Sequence, residues 1–187
     1  MALRFAFAIA AAAFAVAGCQ RIANAPSGEN SRLSEPAEES STARVFQAVN
    51  DAAKNQTGEL TISTALRLPD QAGADSQEVV TMSAAKGMVA EAQLVSEVTP
   101  STQVQGQTLR ALLQLSVDEP QTLVYRVSSE TRPAGVSGLC GADRTAFVIV
   151  WEPTTPGEST LKVLGFTGGQ PGAADTRACS MMEYVRP

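Results

Sequence analysis

Apolar and polar residues alternate with a period of two over most of the chain beyond residue 58. In "GELTISTALRL" (residues 58–68), Leu60, Ile62, Leu66 and Leu68 share one face. Such alternation is typical of a strand that buries one face, and turn-rich segments such as "PDQAGADSQ" separate the runs. The sequence therefore predicts a mainly β domain, in which an antiparallel sheet forms a small barrel or a sandwich.

Two antiparallel pairs of strands are predicted in the middle of the chain. "TLRALLQLSV" (residues 108–117) and "QTLVYRVSS" (121–129) both alternate, and "DEP" between them indicates a tight turn. "EVVTM" (78–82) and "GMVAEAQLVSEV" (87–98) form the second predicted pair, although the latter segment also fits a helix.

The last third of the chain predicts a meander of three strands. "TAFVIVWE" (145–152), "TLKVLGFTG" (160–168) and "SMMEYVR" (180–186) are separated by two segments rich in Gly, Pro and Ser or Asp. A path that runs up, down and up places the starts of the first and third strands at the same end of the sheet. We therefore expect Cys140 and Cys179, which precede those starts, to lie near each other.

One helix is predicted at the start of the domain, over "ARVFQAVNDAAKNQ" (43–56). Val45, Val49 and Ala52 or Ala53 fall on one helical stripe. Thr42 is the predicted cap, and Gly58 the predicted end, of this N-terminal helix.

The N-terminus has the pattern of an export signal. Arg4 precedes thirteen apolar residues, Phe5 to Ala17 ("FAFAIAAAAFAVA"). This run fits the apolar core of a signal peptide, and it falls short of the roughly 20 residues needed to span a bilayer. Residues 1–18 are therefore predicted to be a signal peptide.

"VAGC" (Val16, Ala17, Gly18, Cys19) resembles the lipobox of bacterial lipoproteins. The resemblance implies that the Cys19 thiol carries acyl chains such as palmitate, that cleavage precedes Cys19, and that the mature protein is anchored to a membrane. The residue after the cysteine, Gln20, resembles that of lipoproteins sorted to the outer membrane. Retention at the inner membrane is the alternative. The alternative is an ordinary signal peptide cut after Ala23 or Ala25, which discards the cysteine.

The mature chain divides into a tether and one domain. Residues 19–43 hold the lipidated cysteine and a tether rich in Ser, Glu, Pro and Ala, predicted to be disordered, with an extended packed arm as the alternative. Residues 44–187 are long enough for one β-rich periplasmic domain with its own core. The formal net charge of −5 argues against a nucleic acid partner.

Three cysteines leave one pair once Cys19 is assigned to lipid. Cys140 and Cys179 are then expected to form a disulfide in the oxidising periplasm. Closing a loop of about 40 residues by this disulfide stabilises a domain by about 4 kcal/mol. The alternative is two reduced, buried thiols. The segments that begin at these cysteines also resemble the end of small envelope lipoproteins.

Catalytic patterns are weak. The chain contains no histidine, which excludes Ser-His-Asp and Cys-His catalysis and imidazole metal sites. Ser83 and Lys86 have the spacing of the Ser-x-x-Lys pair in serine β-lactamases, but the other motifs of that class are missing. Asp70, Asp75 and Glu78 lack the arrangement of a calcium loop. We expect no enzyme activity, no cofactor and no metal.

The sequence thus predicts a lipid-anchored, non-enzymatic envelope protein whose tethered β domain binds another envelope protein, as an inhibitor or an assembly accessory. A small β domain with a disulfide resembles the lysozyme-inhibitor lipoproteins in general architecture only. The alternative is a carrier that holds a small apolar ligand inside a barrel, in a cavity lined by residues such as Leu60, Ile62, Leu113 and Leu115.

Overall fold

The computed structural model describes residues 39–40, 43–67, 75–115, 121–153 and 159–187. The predicted signal peptide, Cys19 and most of the predicted tether lie outside the described residues, as do Thr42, Leu68 and Asp70. None of the helices in the described part of the chain is long and apolar enough to cross a bilayer.

Twelve strands and two short helices make up the described residues. In chain order they are β1 Glu39–Ser40, β2 Arg44–Ala48, α1 Asp51–Gln56, β3 Leu60–Arg67, β4 Gln77–Ala84, β5 Val89–Val98, β6 Gln103–Val104, β7 Gln107–Thr108, α2 Leu109–Leu112, β8 Thr122–Thr131, β9 Phe147–Trp151, β10 Thr160–Thr167, β11 Arg177–Ala178 and β12 Met182–Val185.

Eight of these strands close into an antiparallel barrel. Their order around the barrel is β2, β12, β10, β9, β8, β5, β4 and β3, and β3 pairs back to β2. The prediction of a mainly β domain is confirmed, and the sheet is a barrel rather than a sandwich. Of the short strands, β1 pairs with β3 and β11 pairs with β10, whereas β6 and β7 form a separate hairpin.

Inward-facing residues of all eight strands fill the barrel. This inner core includes the fully buried side chains Phe46, Leu60, Met82, Met88, Leu161, Met182 and Tyr184. The alternation seen in the sequence explains the inner core, because every second residue of each strand points to the same side.

A second apolar cluster, the outer cluster, covers the outside of β8, β9 and β10. The connection between β5 and β8 contributes one half of it, and the barrel wall contributes the other. Its buried members are Val104, Leu109, Leu113, Leu115, Val124, Phe147, Ile149, Leu164 and Phe166. Strands β9 and β10 are therefore buried on both faces.

The predicted strand over residues 108–117 is wrong over its described residues 109–115. Leu109 begins α2, and Thr108 caps it by accepting a hydrogen bond from the Ala111 amide at 3.2 Å. Leu109 and Leu113, four residues apart, both enter the outer cluster, so the helical spacing of the leucines decides the structure over their alternation. Strand β8 pairs with β5 and β9 instead of with this segment.

The predicted helix is correct only over its second half. Asp51–Gln56 is helical, and Asn50 caps α1 by accepting from the Ala53 amide at 3.0 Å. Arg44–Ala48 is strand β2, which places Phe46 in the inner core. The apolar stripe that suggested a longer helix is mostly surface, since Val45 is 39% exposed and Val49 42%.

The other predicted pairings are confirmed. Strands β4 and β5 form a hairpin in which Ser83 lies opposite Val89. Strands β9, β10 and β12 form the predicted antiparallel meander, in which β10 is central.

Candidate functional site

One end of the barrel is closed by a loop. The segment that follows β8 folds back so that Leu139 is fully buried in the inner core. The Glu130 carboxylate accepts hydrogen bonds from the amides of Leu139 at 2.8 Å and Thr145 at 3.1 Å. Arg132 donates to the carbonyl oxygens of Gly141 and, at 2.6 Å, Ala142. We call residues 138–145 the plug.

The predicted disulfide holds the plug to the barrel wall. Cys140 and Cys179 are bonded, and their Cα atoms lie 5.2 Å apart. The plug reaches across the central strand because β10 has a glycine there: a methyl group at Gly165 would lie 2.9 Å from Cys140 Sγ. The disulfide prediction is confirmed, and Gly165 explains how two outer segments of a meander come within bonding distance.

The other end of the barrel opens into a pocket of about 320 Å³, which we call the mouth pocket. Its apolar lining comes from Ile62, Val80, Leu123 and Val150. Its polar and aromatic lining comes from Arg44, Thr64, Glu78, Gln121, Thr122, Tyr125, Trp151 and Glu152. The mouth pocket therefore combines apolar walls with charged groups of both signs.

Two arginines and one carboxylate form a cluster at the mouth. Glu152 Oε2 accepts from Arg44 Nη1 at 2.5 Å and from Arg186 Nη2 at 3.1 Å. Each guanidinium carbon also lies 5.6 Å from the centre of the Phe46 ring. Glu152 and the ring of Phe46 therefore hold both arginines in place, as expected for paired ionic and cation–π contacts.

A buried phenol and a second carboxylate form the other polar group of the mouth. Tyr125, only 4% exposed, donates its hydroxyl proton to Glu78 Oε1 at 2.7 Å. Burial raises the pKa of Tyr125 well above its usual value, and the hydrogen bond to Glu78 and the charges of Glu78 and Glu152 raise this pKa further. Tyr125 therefore stays protonated at neutral pH and acts as a donor to Glu78.

The described residues considered as catalytic or metal-binding candidates from the sequence do not form such a site. Lys86 Nζ donates to the carbonyl oxygens of Lys54 at 2.8 Å and Asn55 at 2.6 Å, in the last turn of α1. Glu78 belongs to the mouth pocket, as described above. Across the described ranges, no three His, Cys, Asp or Glu side chains are grouped closely enough to hold a metal ion.

The four residues named for a carrier cavity do not share one cavity. Ile62 lines the mouth pocket, and Leu60 is fully buried in the inner core. Leu113 and Leu115 lie in the outer cluster, on the other side of the barrel wall. Leu113 and Leu115 lie outside the barrel for the same reason that the predicted strand is wrong, because residues 109–115 pack against the outer face of its wall.

Sequence reasoning missed Arg44, Tyr125, Glu152 and Arg186 as site residues. A signal for Glu152 existed in its position, since it is two residues beyond Val150 and shares its inward side. The same holds for Arg44, two residues before Phe46. A charged residue that continues the inward-facing set at a strand end indicates a polar barrel mouth.

No family model, no curated protein and no solved structure matches this chain. Its function is therefore inferred from the chemistry of the described residues.

Proposed function

We propose that this chain is a lipid-anchored, non-enzymatic protein of the cell envelope whose barrel binds another envelope protein at its mouth. The observation that carries the proposal is the difference between a packed barrel interior and an open, charged mouth pocket. A packed interior leaves no room for a lipid-sized cargo, whereas a rim of charged and aromatic side chains is suited to a protein surface.

The proposed location in the cell envelope rests on the N-terminal pattern and on the cysteines. Cys19 carries the lipid, residues 20–38 hold the barrel off the membrane, and Gln20 favours the outer membrane. Attachment by two or three acyl chains is stable, since one chain alone gives only marginal binding. The disulfide between Cys140 and Cys179 supports an oxidising compartment such as the periplasm.

The intact mass of the protein extracted from membranes tests the anchor. The expected mass is that of residues 19–187 plus acyl groups, with two thiols appearing only after reduction. A mass that begins beyond Cys19 and carries no lipid contradicts the anchor and makes the barrel a freely diffusing protein.

Site-specific photo-crosslinking in intact cells tests the partner. A photoreactive amino acid replaces Gln121, which lines the mouth pocket, and in a second strain it replaces Asp143, an exposed residue of the plug. We expect one reproducible protein adduct from position 121 and none of that mass from position 143. Equal adducts from both positions, or none from either, contradict binding at the mouth.

One observation favours a second candidate function, the binding of a small ligand. Ile62, Val80, Leu123 and Val150 give the mouth pocket apolar walls, and its volume lies at the lower end of the roughly 300–1,000 Å³ of ligand sites. Mass spectrometry of the gently extracted protein tests this function: a small molecule that co-purifies and is lost on Ile62→Trp would establish a carrier.

A further inference from the structure

We propose that the mouth pocket is the receptor for one basic side chain, a lysine or arginine presented by the partner protein. This inference rests on the proposed function, because it names the chemistry by which the partner is recognised. It assigns a cationic ligand to a site that combines apolar walls, the aromatic ring of Tyr125 and the Glu78 carboxylate.

The apolar walls match the stem of such a side chain. Lysine and arginine bury their methylene groups along apolar surface while their charged heads keep polar partners. Ile62, Val80 and Leu123 supply apolar surface beside Glu78. A pocket of about 320 Å³ is suited to a single side chain rather than to a long acyl chain.

Glu78 supplies the charge that a basic head group requires. Its Oε1 accepts the hydroxyl proton of Tyr125, a neutral donor, so this bond fixes the carboxylate in position and leaves its negative charge in place. An ionised carboxylate accepts several hydrogen bonds, and its second oxygen retains acceptor capacity. A charge-assisted bond to an ammonium or guanidinium group is about twice as strong as a neutral one.

The two arginines of the mouth do not make it an anion site, because Glu152 occupies them. Glu152 is the carboxylate that both Arg44 and Arg186 bind, and both guanidinium groups lie over Phe46. An incoming anion has to compete with Glu152, which is covalently part of the site and is therefore present at a high effective concentration.

The ring of Tyr125 adds a second attraction for a cation. Tyr125 lines the mouth pocket and belongs to the inner core. The side chain of Trp151 packs instead against the outer cluster, with Lys162 Nζ 5.7 Å from the centre of its ring. A cation close to the ring of Tyr125 gains a cation–π attraction beside the charge of Glu78.

The charge of the chain agrees with a basic partner. The formal net charge is −5, and a charge imbalance of this kind increases the association rate with proteins of opposite sign. Binding is then expected to weaken as ionic strength rises.

Isothermal titration calorimetry provides a direct measurement, because the heat of binding changes saturably whichever residues of the mouth pocket contact the ligand. The full chain in a nonionic detergent is titrated with n-butylammonium chloride, with sodium butyrate and n-butanol as the anionic and neutral counterparts at matched ionic strength. We expect a saturable change with butylammonium only. Saturation by butyrate at equal or lower concentration overturns the inference.

Glu78→Gln removes the charge while keeping the size of the side chain. We expect butylammonium to bind this variant about tenfold more weakly. Glu59→Gln is the matched control, because Glu59 is exposed and lies just before Leu60, at the other end of β3 from Thr64; its affinity should equal that of the wild type. Equal affinities of all three proteins overturn the inference.

A second variant keeps the test valid if Glu78→Gln fails to fold. Tyr125→Phe removes the donor to Glu78 and leaves the carboxylate, so we expect butylammonium binding to persist within about threefold, given the modest net strength of one hydrogen bond. Complete loss of binding in folded Tyr125→Phe overturns the assignment of the cation to Glu78.

Photo-crosslinking from position 121 separates this inference from the proposed function. We expect Glu78→Gln to weaken the adduct that the otherwise unaltered protein gives. An adduct that persists undiminished in Glu78→Gln overturns the inference and leaves the proposed function intact. Butylammonium binding without any protein adduct in the unaltered protein contradicts both, and then indicates a site for small cations.

Discussion

The two ends of the barrel are built on opposite principles. At the closed end, a covalent bond, a buried leucine and the hydrogen bonds of Glu130 hold the plug in one position. At the mouth, partly exposed ion pairs and a half-buried carboxylate surround an open pocket. Stability is therefore concentrated at the plug, which leaves the mouth free to carry charged groups that contribute little to folding.

Removing the disulfide should have the largest effect and should weaken the closed end alone. Replacing Cys140 and Cys179 together by alanine is expected to lower the free energy of unfolding by about 4 kcal/mol, because the bond closes a loop over a sequence separation of 39 residues. Urea denaturation measures this loss. A loss below about 1 kcal/mol, or a mouth that no longer binds butylammonium in the folded variant, would show that the two ends are not independent.

Alkaline pH should destabilise the barrel because of the buried hydroxyl of Tyr184, a residue near the closed end. Tyr184 Oη lies 2.7 Å from Thr57 Oγ1, and burial raises the pKa of Tyr184 to about 12. Between pH values of about 10 and 12 the unfolded chain loses this proton while the folded chain keeps it, so stability is complete below about pH 10 and falls as pH rises.

The expected loss from Tyr184 is about 3 kcal/mol over that range, at 1.36 kcal/mol for each unit of pKa. Denaturation at a series of pH values measures it, and Tyr184→Phe serves as the control that removes the titrating group. The same slope in the wild type and in Tyr184→Phe would assign the alkaline loss to other residues, Tyr125 at the mouth first among them.

Gly165→Ala should destabilise the closed end by about 2 kcal/mol. The added methyl group would lie 2.9 Å from Cys140 Sγ and 3.3 Å from the carbonyl oxygen of Leu139, so the plug has to shift. Combining Gly165→Ala with Cys140→Ala and Cys179→Ala should recover part of this cost, because the bulky sulfur is then absent. Strictly additive losses would indicate that the glycine is needed for another contact.

The smallest effect is expected at the mouth. Glu152→Gln should lower the free energy of unfolding by less than about 1 kcal/mol, since Glu152 and both of its arginines are partly exposed. The same variant removes the carboxylate that pairs with Arg44 and Arg186, so butyrate should bind to this variant more tightly than to the wild type. A loss comparable to that of the disulfide variant would remove the contrast between the two ends.

Local patterns in the sequence predicted most strands but not the segments whose structure depends on long-range packing. Strands β3, β4 and β8 follow from alternation, and the meander follows from its apolar runs and the turn-rich segments between them. For the β5 segment a helix was the alternative. The segment 108–117 satisfies both a period of two and a spacing of four, and the outer surface of β8 to β10 decides between them by burying Leu109 and Leu113. Similarly, β2 is a strand because it pairs with both β3 and β12, which are distant in sequence.

The mouth pocket was harder to predict than the disulfide for a related reason. Cys140 and Cys179 belong to one meander, whose path follows from three neighbouring strands. Arg44, Glu78 and Glu152 come from β2, β4 and the end of β9, and only closure of the whole barrel brings these strand ends together. The inward side of Glu78 and Glu152 could be deduced from Val80 and Val150, but Arg44 lies in a segment predicted to be a helix. The proximity of the three residues could not be deduced.

The two shortest strands of the sheet protect the barrel from unwanted pairing. Strand β2 pairs with β3 only as far as Ile62, and β1 pairs with the next part of β3, at Ala65 and Leu66. In the same way, β12 pairs with β10 only as far as Val163, and β11 pairs with β10 at Phe166 and Thr167. Covered edges do not template the backbone pairing that leads to aggregation. For a protein concentrated on a membrane surface, as we propose, this covering allows molecules to crowd together and still remain separate.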